Sequence, residues 1–223
     1  MPRPADAGPR PAVTPPYWDD ACRHLTRRDR VLKKLIPKFG EARLQSRGDA
    51  FTTLARSIVG QQISVKAAQA IWDRLVAASG GSGEPVRLDP ARIARMRLPA
   101  LAKVGLSARK AEYVRDLAQH FVTGELDPAR WPALDDEALI TALVDVKGIG
   151  RWTAEMFLIF HELRPDVFPL DDIGLQKGIA LHYFAGRRRA RRTLERLGKR
   201  WRPYRSVATW YLWRSLDPIP VEY

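Results

Sequence analysis

From Trp18 onward the apolar side chains recur at helical spacing, and no two-residue alternation long enough for a strand interrupts them. Val31, Leu32, Leu35 and Ile36 mark a first helix, stopped by Pro37 and Gly40. Phe51, Leu54, Ala55, Ile58 and Val59 mark a second, ending near Gly60. A third runs from Ser64 to Ala78 with Val65, Ala68, Ile71, Trp72 and Leu75 on one face. After the loop GGSGEP at 80–85, Asp89-Pro90 reads as a helix start with proline in the first position. Ser107 caps a longer helix carrying Ala111, Val114, Leu117 and Ala118, and Asp135 caps one over 134–143. Shorter helices follow over 151–163, 172–182, 188–199 and 204–215. The chain is expected to be all-α.

The composition narrows the setting. Of 223 residues 45% are apolar, enough to bury a core in one large domain or two small lobes. No apolar run approaches the roughly 18 residues of a membrane span, and residues 1–16 read as a proline-rich flexible tail without the apolar stretch of a secretory signal. The one cysteine, Cys22, excludes an intramolecular disulfide framework, a cysteine zinc site and a four-cysteine iron–sulfur cluster, and points to a reducing cytosol. The formal net charge is +13. Residues 187–205 contribute +9 of it, from ten Arg and Lys against Glu195. That stretch runs into Trp201, Tyr204, Trp210, Tyr211 and Trp213. It is either a solvated helix face followed by core aromatics, or a surface that tracks phosphates with aromatic platforms beside it.

The segment LVDVKGIGRWTAEM at 143–156 ends one apolar helix and begins another across Lys147-Gly148-Ile149-Gly150-Arg151. Its two glycines permit positive φ and a close approach of backbone to a ligand, and Ile149 between them suits the core. The N-terminus of the second helix presents amides that suit a phosphate. A turn of this form also occurs for structural reasons alone. About twenty residues later, Pro169-Leu170-Asp171-Asp172 opens a helix. Asp171 is well placed as the N-cap, which puts Asp172 in the first turn, pointing about 100° away. Each acid, taken alone, is explained as a helix-start carboxylate.

Together these blocks resemble the helix–hairpin–helix/Gly-Pro-Asp superfamily of DNA glycosylases. The resemblance is carried by SIVGQQIS (57–64), GIGRWTAEMFLIF (148–160), DVFPLDDIGLQKGI (166–179) and RWRPYRSVATWYLWR (200–214), and it is nearest to the 3-methyladenine DNA glycosylase II branch. It implies two helical lobes with an active-site cleft between them: a central lobe over 51–150 ending in the hairpin, and a terminal lobe joining 18–50 to 151–223, behind the tail 1–17. It implies an enzyme that excises alkylated purines from damaged double-stranded DNA, with Asp172 as the catalytic aspartate. Trp152 falls where lyase-type members carry a Schiff-base lysine, so a monofunctional glycosylase that leaves an abasic site is expected. Trp152, Met156 and Trp213 fall at base-pocket positions, Met156 where a relative has tyrosine. Gln62 falls at the position that fills the gap left by an extruded base, with Gln61 beside it. A polar helix end is the bland account of both glutamines. Lys147, Gly148, Gly150 and Arg151 are expected at the DNA backbone. Hairpin carbonyls near 146–150 can hold K⁺ or Na⁺ in this family; no other cofactor is implied. A monomer is expected, working in the nucleoid-bearing cytoplasm or, in a eukaryote, the nucleus. Two alternatives stay open: a glycosylase for uracil, hypoxanthine or a mismatched base, and a non-catalytic helix–hairpin–helix DNA-binding module.

Overall fold

A computed structural model describes residues 13–46, 48–83 and 86–216. Residues 1–12, 47, 84–85 and 217–223 lie outside the described residues, and with them most of the expected tail 1–17. Twelve α-helices and no strand occur among the described residues: α1 Trp18–Arg28, α2 Arg30–Leu35, α3 Ala50–Gly60, α4 Val65–Ser79, α5 Pro90–Arg95, α6 Leu98–Lys103, α7 Ala108–Thr123, α8 Asp136–Val144, α9 Arg151–Phe160, α10 Ile173–Tyr183, α11 Arg191–Gly198 and α12 Arg205–Arg214. The all-α expectation holds.

Local chemistry sets most of the boundaries. Ser64, Asp89, Ser107 and Asp135 each accept a backbone N–H from the first turn of α4, α5, α7 and α8, satisfying donors that a helix start leaves open. Gly80 and Gly124 close α4 and α7 in the left-handed conformation. The α-helix gives way beside Pro37, as expected, and Gly40 with φ +54° closes the segment that follows. Pro37 sits in the first turn of that 3₁₀ segment, Ile36–Phe39, where its missing N–H costs no hydrogen bond.

The chain divides into two compact units. The described residues of one are Val13 and those from 48 to 157, and those of the other run from Thr14 to Ser46 and from Leu158 to 216. The second division point falls within α9, seven residues beyond the 150 expected from the sequence. The side chains explain why: Phe157 meets Trp131 edge-to-face at 5.5 Å, which ties most of α9 to the first unit. That unit is built on α7, against which α3, α5 and α6 pack. Phe51, Leu54, Ile58, Leu75, Val114, Leu117, Leu139, Leu143 and Ile149 are buried in it. In the second unit Trp18, Leu25, Leu32, Leu175, Ile179, Trp201, Val207 and Tyr211 are buried, and Trp18 meets Trp210 edge-to-face at 5.0 Å. Burying one large apolar side chain contributes about 1.5–3 kcal/mol, so each unit has a substantial core of its own.

Candidate functional site

In the first unit the hairpin is a turn over 145–150 between α8 and α9. Ile149 is 3% exposed, as its place between two glycines implies, and its N–H donates to Val146 O at 3.1 Å. The glycines differ. Gly148 has φ +83°, and a Cβ there would run into the Tyr113 ring. Gly150 has no positive φ, and a Cβ there would meet nothing within 4 Å. Among the described residues nothing demands a glycine at 150, and its N–H meets no acceptor there.

The hairpin is braced by Asp116, Glu137 and Glu155, which the sequence did not single out, and by Gln61, which it did. Asp116 on α7 accepts the Lys147 N–H at 2.9 Å, and the Lys147 ammonium lies 3.9 Å from the same carboxylate with its side chain 70% exposed. Gln61 donates its side-chain amide to Gly148 O at 2.9 Å. Arg151 is held rather than free. Its guanidinium grips Glu137 of α8 with Nη1 and Nη2 and donates its Nε–H to Glu155 at 3.0 Å. That ion pair holds the Glu137 carboxyl below its ordinary range and raises the guanidinium further. The Arg151 side chain is thus committed to the hairpin's own anchoring. Gln62 is exposed, with φ +57°, a left-handed conformation that costs a non-glycine residue. Trp152 is 43% exposed, unusual for a tryptophan, while Met156 one turn later is 8% exposed.

In the second unit the cap expected of Asp171 falls on its neighbour. Asp172, not Asp171, is the N-cap of α10: its Oδ1 accepts the Leu175 N–H at 2.5 Å. The reason is the turn entered at Pro169, where Asp172 N–H donates to Pro169 O at 3.0 Å. That turn takes up residues 170–171 and delays the helix by one residue. Asp171 points outward and pairs with Arg191 at 2.5 Å. Asp172 Oδ1 also accepts the indole N–H of Trp213 at 2.7 Å. The Trp213 ring stacks on Phe160 at 5.6 Å. Gly174 leaves the room for this pair, since a Cβ there would lie 3.1 Å from both Asp172 Oδ1 and Trp213 Cδ1. Trp213 and Asp172 are therefore brought together as one unit, a link that 41 residues of separation hid from any local reading. Phe160 and Gly174 lacked any signal of their own.

The basic stretch also resolves residue by residue. Arg205 forms a two-point pair with Asp166, both contacts 2.8 Å, and Arg202 lies 3.6 Å from the same carboxylate. Arg191 is shared between Asp171 and Glu195. Arg187, Arg188, Arg192, Arg196 and Lys199 are exposed without such pairs among the described residues. Trp201, Trp210 and Tyr211 are 0%, 7% and 1% exposed, so they are core and not platforms for bases.

Among the described residues no group of three or more His, Cys, Asp or Glu side chains is placed to hold a metal ion. The oxygen donors of the hairpin are its carbonyls. Those of Val146 and Gly148 each accept one hydrogen bond and keep a second lone pair.

Comparison with known proteins places these features in a lineage. The family model described as HhH-GPD superfamily base excision DNA repair protein matches residues 55–203, more than half of the chain. A putative DNA-3-methyladenine glycosylase of Bacillus subtilis is 34% identical over 169 residues, covering 75% of this chain and 59% of the relative, so this chain spans under two-thirds of that protein's length. A crystal structure of a DNA-3-methyladenine glycosidase from Bacillus halodurans superposes with a TM-score of 0.82 at 34% identity, covering 92% of each chain. The Schizosaccharomyces pombe 3-methyladenine DNA glycosylase, in complex with abasic DNA, superposes with a TM-score of 0.70 at 29% identity, covering 88% of this chain and 96% of that one. With the hairpin, the proline and the helix-opening aspartate in the order that the sequence announced, the chain belongs to the HhH-GPD superfamily of base excision DNA repair proteins.

Proposed function

We propose that this protein is a monofunctional DNA glycosylase that hydrolyses the N-glycosidic bond of alkylated purines of the 3-methyladenine type in double-stranded DNA. The observation that carries the reading is the Asp172 carboxylate, fixed at the opening of α10 by the Leu175 and Trp213 N–H groups. The names borne by its relatives support the same substrate class.

The reaction begins with extrusion of the damaged nucleotide, which costs a few kcal/mol and less for a damaged pair. The Gly148–Gly150 turn approaches one strand's backbone. The open space over Gly150 and its unengaged N–H suit a phosphate oxygen. Lys147 adds an exposed charge, and the unpaired arginines of 187–196 add salt-dependent grip. Gln62 enters the vacated space. An N3- or N7-alkylated purine carries positive charge, which draws it to the exposed Trp152 face by cation–π attraction of about 1–2 kcal/mol. The same charge makes the base a good leaving group, so protonation by a general acid is not required. As the bond to C1′ lengthens, the sugar takes on oxocarbenium character. The Asp172 carboxylate stabilises that charge and orients the water that completes the hydrolysis. Trp152 has no amine for an imine, so the product is an abasic site with an intact strand. K⁺ or Na⁺ held by the spare lone pairs of the Val146 and Gly148 carbonyls would reinforce the hairpin's hold on phosphate.

Mass spectrometry of the bases released from methylated duplex DNA tests this reading. Release of 3-methyladenine supports it. Release of uracil or hypoxanthine from suitable duplexes, without 3-methyladenine, selects a different lesion. Duplex binding with no base released from any of them leaves the non-catalytic module.

A further inference from the structure

Lys110 lies in the first turn of α7, where Ser107 accepts its backbone N–H. Its ammonium does not point to solvent. It donates to Val59 O at 2.7 Å and to Gln61 O at 2.6 Å, two carbonyls at the carboxyl end of α3. A helix leaves its last carbonyls without intrahelical partners, and a lysine there satisfies them and meets the negative end of the helix dipole. The next residue is Gln62, in its left-handed conformation. The side chain of Gln61 leaves the same turn and donates to Gly148 O. Two further residues at helical spacing from Lys110 complete the arrangement: the Tyr113 ring packs under Gly148, and the Asp116 carboxylate holds the Lys147 N–H. One face of α7 thus supports both the QQIS turn and the hairpin.

We propose that Lys110 is a positioning residue: by clamping the end of α3 it presents Gln62 as a preformed wedge, held in register with the hairpin through Gln61 and Gly148. The inference rests on the glycosylase reading and on Gln62 as the gap-filling residue. Three features support it. Both carbonyl contacts are short and direct. A left-handed glutamine persists only where its surroundings hold it there. Burial also lowers the Lys110 ammonium from its ordinary range, the mark of a cation kept for its contacts and not for solvation. Lys110 touches no reacting atom in this account. It acts on extrusion by sparing the turn from ordering when DNA binds.

The test uses a duplex with 2-aminopurine stacked beside a tetrahydrofuran abasic analogue, and a second duplex carrying the alkylated base released by the wild type. Lys110→Met keeps length and loses the charge. It is expected to keep a helical circular-dichroism spectrum and most of its duplex affinity. At saturating protein it should lose the fluorescence rise that reports unstacking, and single-turnover base release should fall about 10- to 100-fold. Lys110→Arg should recover much of both signals. Gln62→Ala should lose the fluorescence rise as well, and Lys110→Met should add little to it. If Lys110→Met does not fold, Gln61→Leu cuts the link to Gly148 alone and should give the same loss. Wild-type fluorescence and rate in Lys110→Met, with Gln62→Ala impaired, would overturn the positioning role and leave the glycosylase reading intact. Gln62→Ala indistinguishable from wild type removes the wedge on which the proposal stands. No base release by the wild type from any duplex overturns the functional reading itself.

Discussion

The indole N–H of Trp213 and the Leu175 amide converge on a single oxygen of Asp172, at 2.7 and 2.5 Å. The aspartate is thereby oriented from two sides, by its own helix and by α12. Phe160 holds the indole in place from one face.

Trp213→Phe keeps an aromatic ring for that stack and deletes the N–H. Single-turnover base release should fall about 10-fold, because a carboxylate that can rotate is misplaced for part of the time. The thermal midpoint should move little. A rate equal to wild type would mean that the Leu175 amide alone orients Asp172.

Gly174→Ala probes the same pair from the other side. The added methyl would sit 3.1 Å from Asp172 Oδ1 and from Trp213 Cδ1. It should slow base release while leaving duplex affinity near wild type, measured by single-turnover kinetics and by titration of an abasic-analogue duplex.

Lys147 and Arg151 are neighbours with opposite commitments. Lys147 is exposed, whereas Arg151 is spent on Glu137 and Glu155. Lys147→Ala should therefore lower the slope of log affinity against log salt by about one, the signature of a lost phosphate contact. Arg151→Ala should instead lower the thermal midpoint, with a smaller change in that slope. Equal changes in slope would make Arg151 a phosphate contact too.

His182 gives the pH dependence a sign. Burial, with Lys38 as a second cause, lowers its folded pKa from the ordinary 6.5. Its ring Nε2 lies 2.8 Å from Ser215 Oγ. Below 6.5 the unfolded chain takes up a proton that the folded chain resists, so stability falls as pH drops toward the folded value. Thermal midpoints from pH 7.5 to 5 should decline, and His182→Gln should flatten part of that decline. An unchanged slope would assign the decline to other groups.

Much of this was legible locally and some of it could not be. Ser107 and Asp135 cap as read, and Asp89-Pro90 opens a helix as read, because a cap depends only on the three or four residues after it. Ile149 is buried, as an apolar residue between two glycines suggests. The cap falls on Asp172 and not on Asp171, since the turn at Pro169 and neither side chain decides between adjacent caps. Arg151 and Arg205 read as candidate phosphate contacts until their carboxylates appeared, 14 and 39 residues away. Lys110 left no trace in any motif, because its meaning lies in two carbonyls about fifty residues earlier in the chain.

Asp172 is proposed as the catalytic group as well as the cap of α10. Asparagine caps helices as well as aspartate does, so Asp172→Asn separates the two roles. The measurement is single-turnover release of 3-methyladenine from methylated duplex DNA, taken with thermal midpoint and duplex affinity. The rate should fall about 100-fold or more, with stability and affinity near wild type. A folded, DNA-binding Asp172→Asn protein that releases the base at the wild-type rate would contradict it.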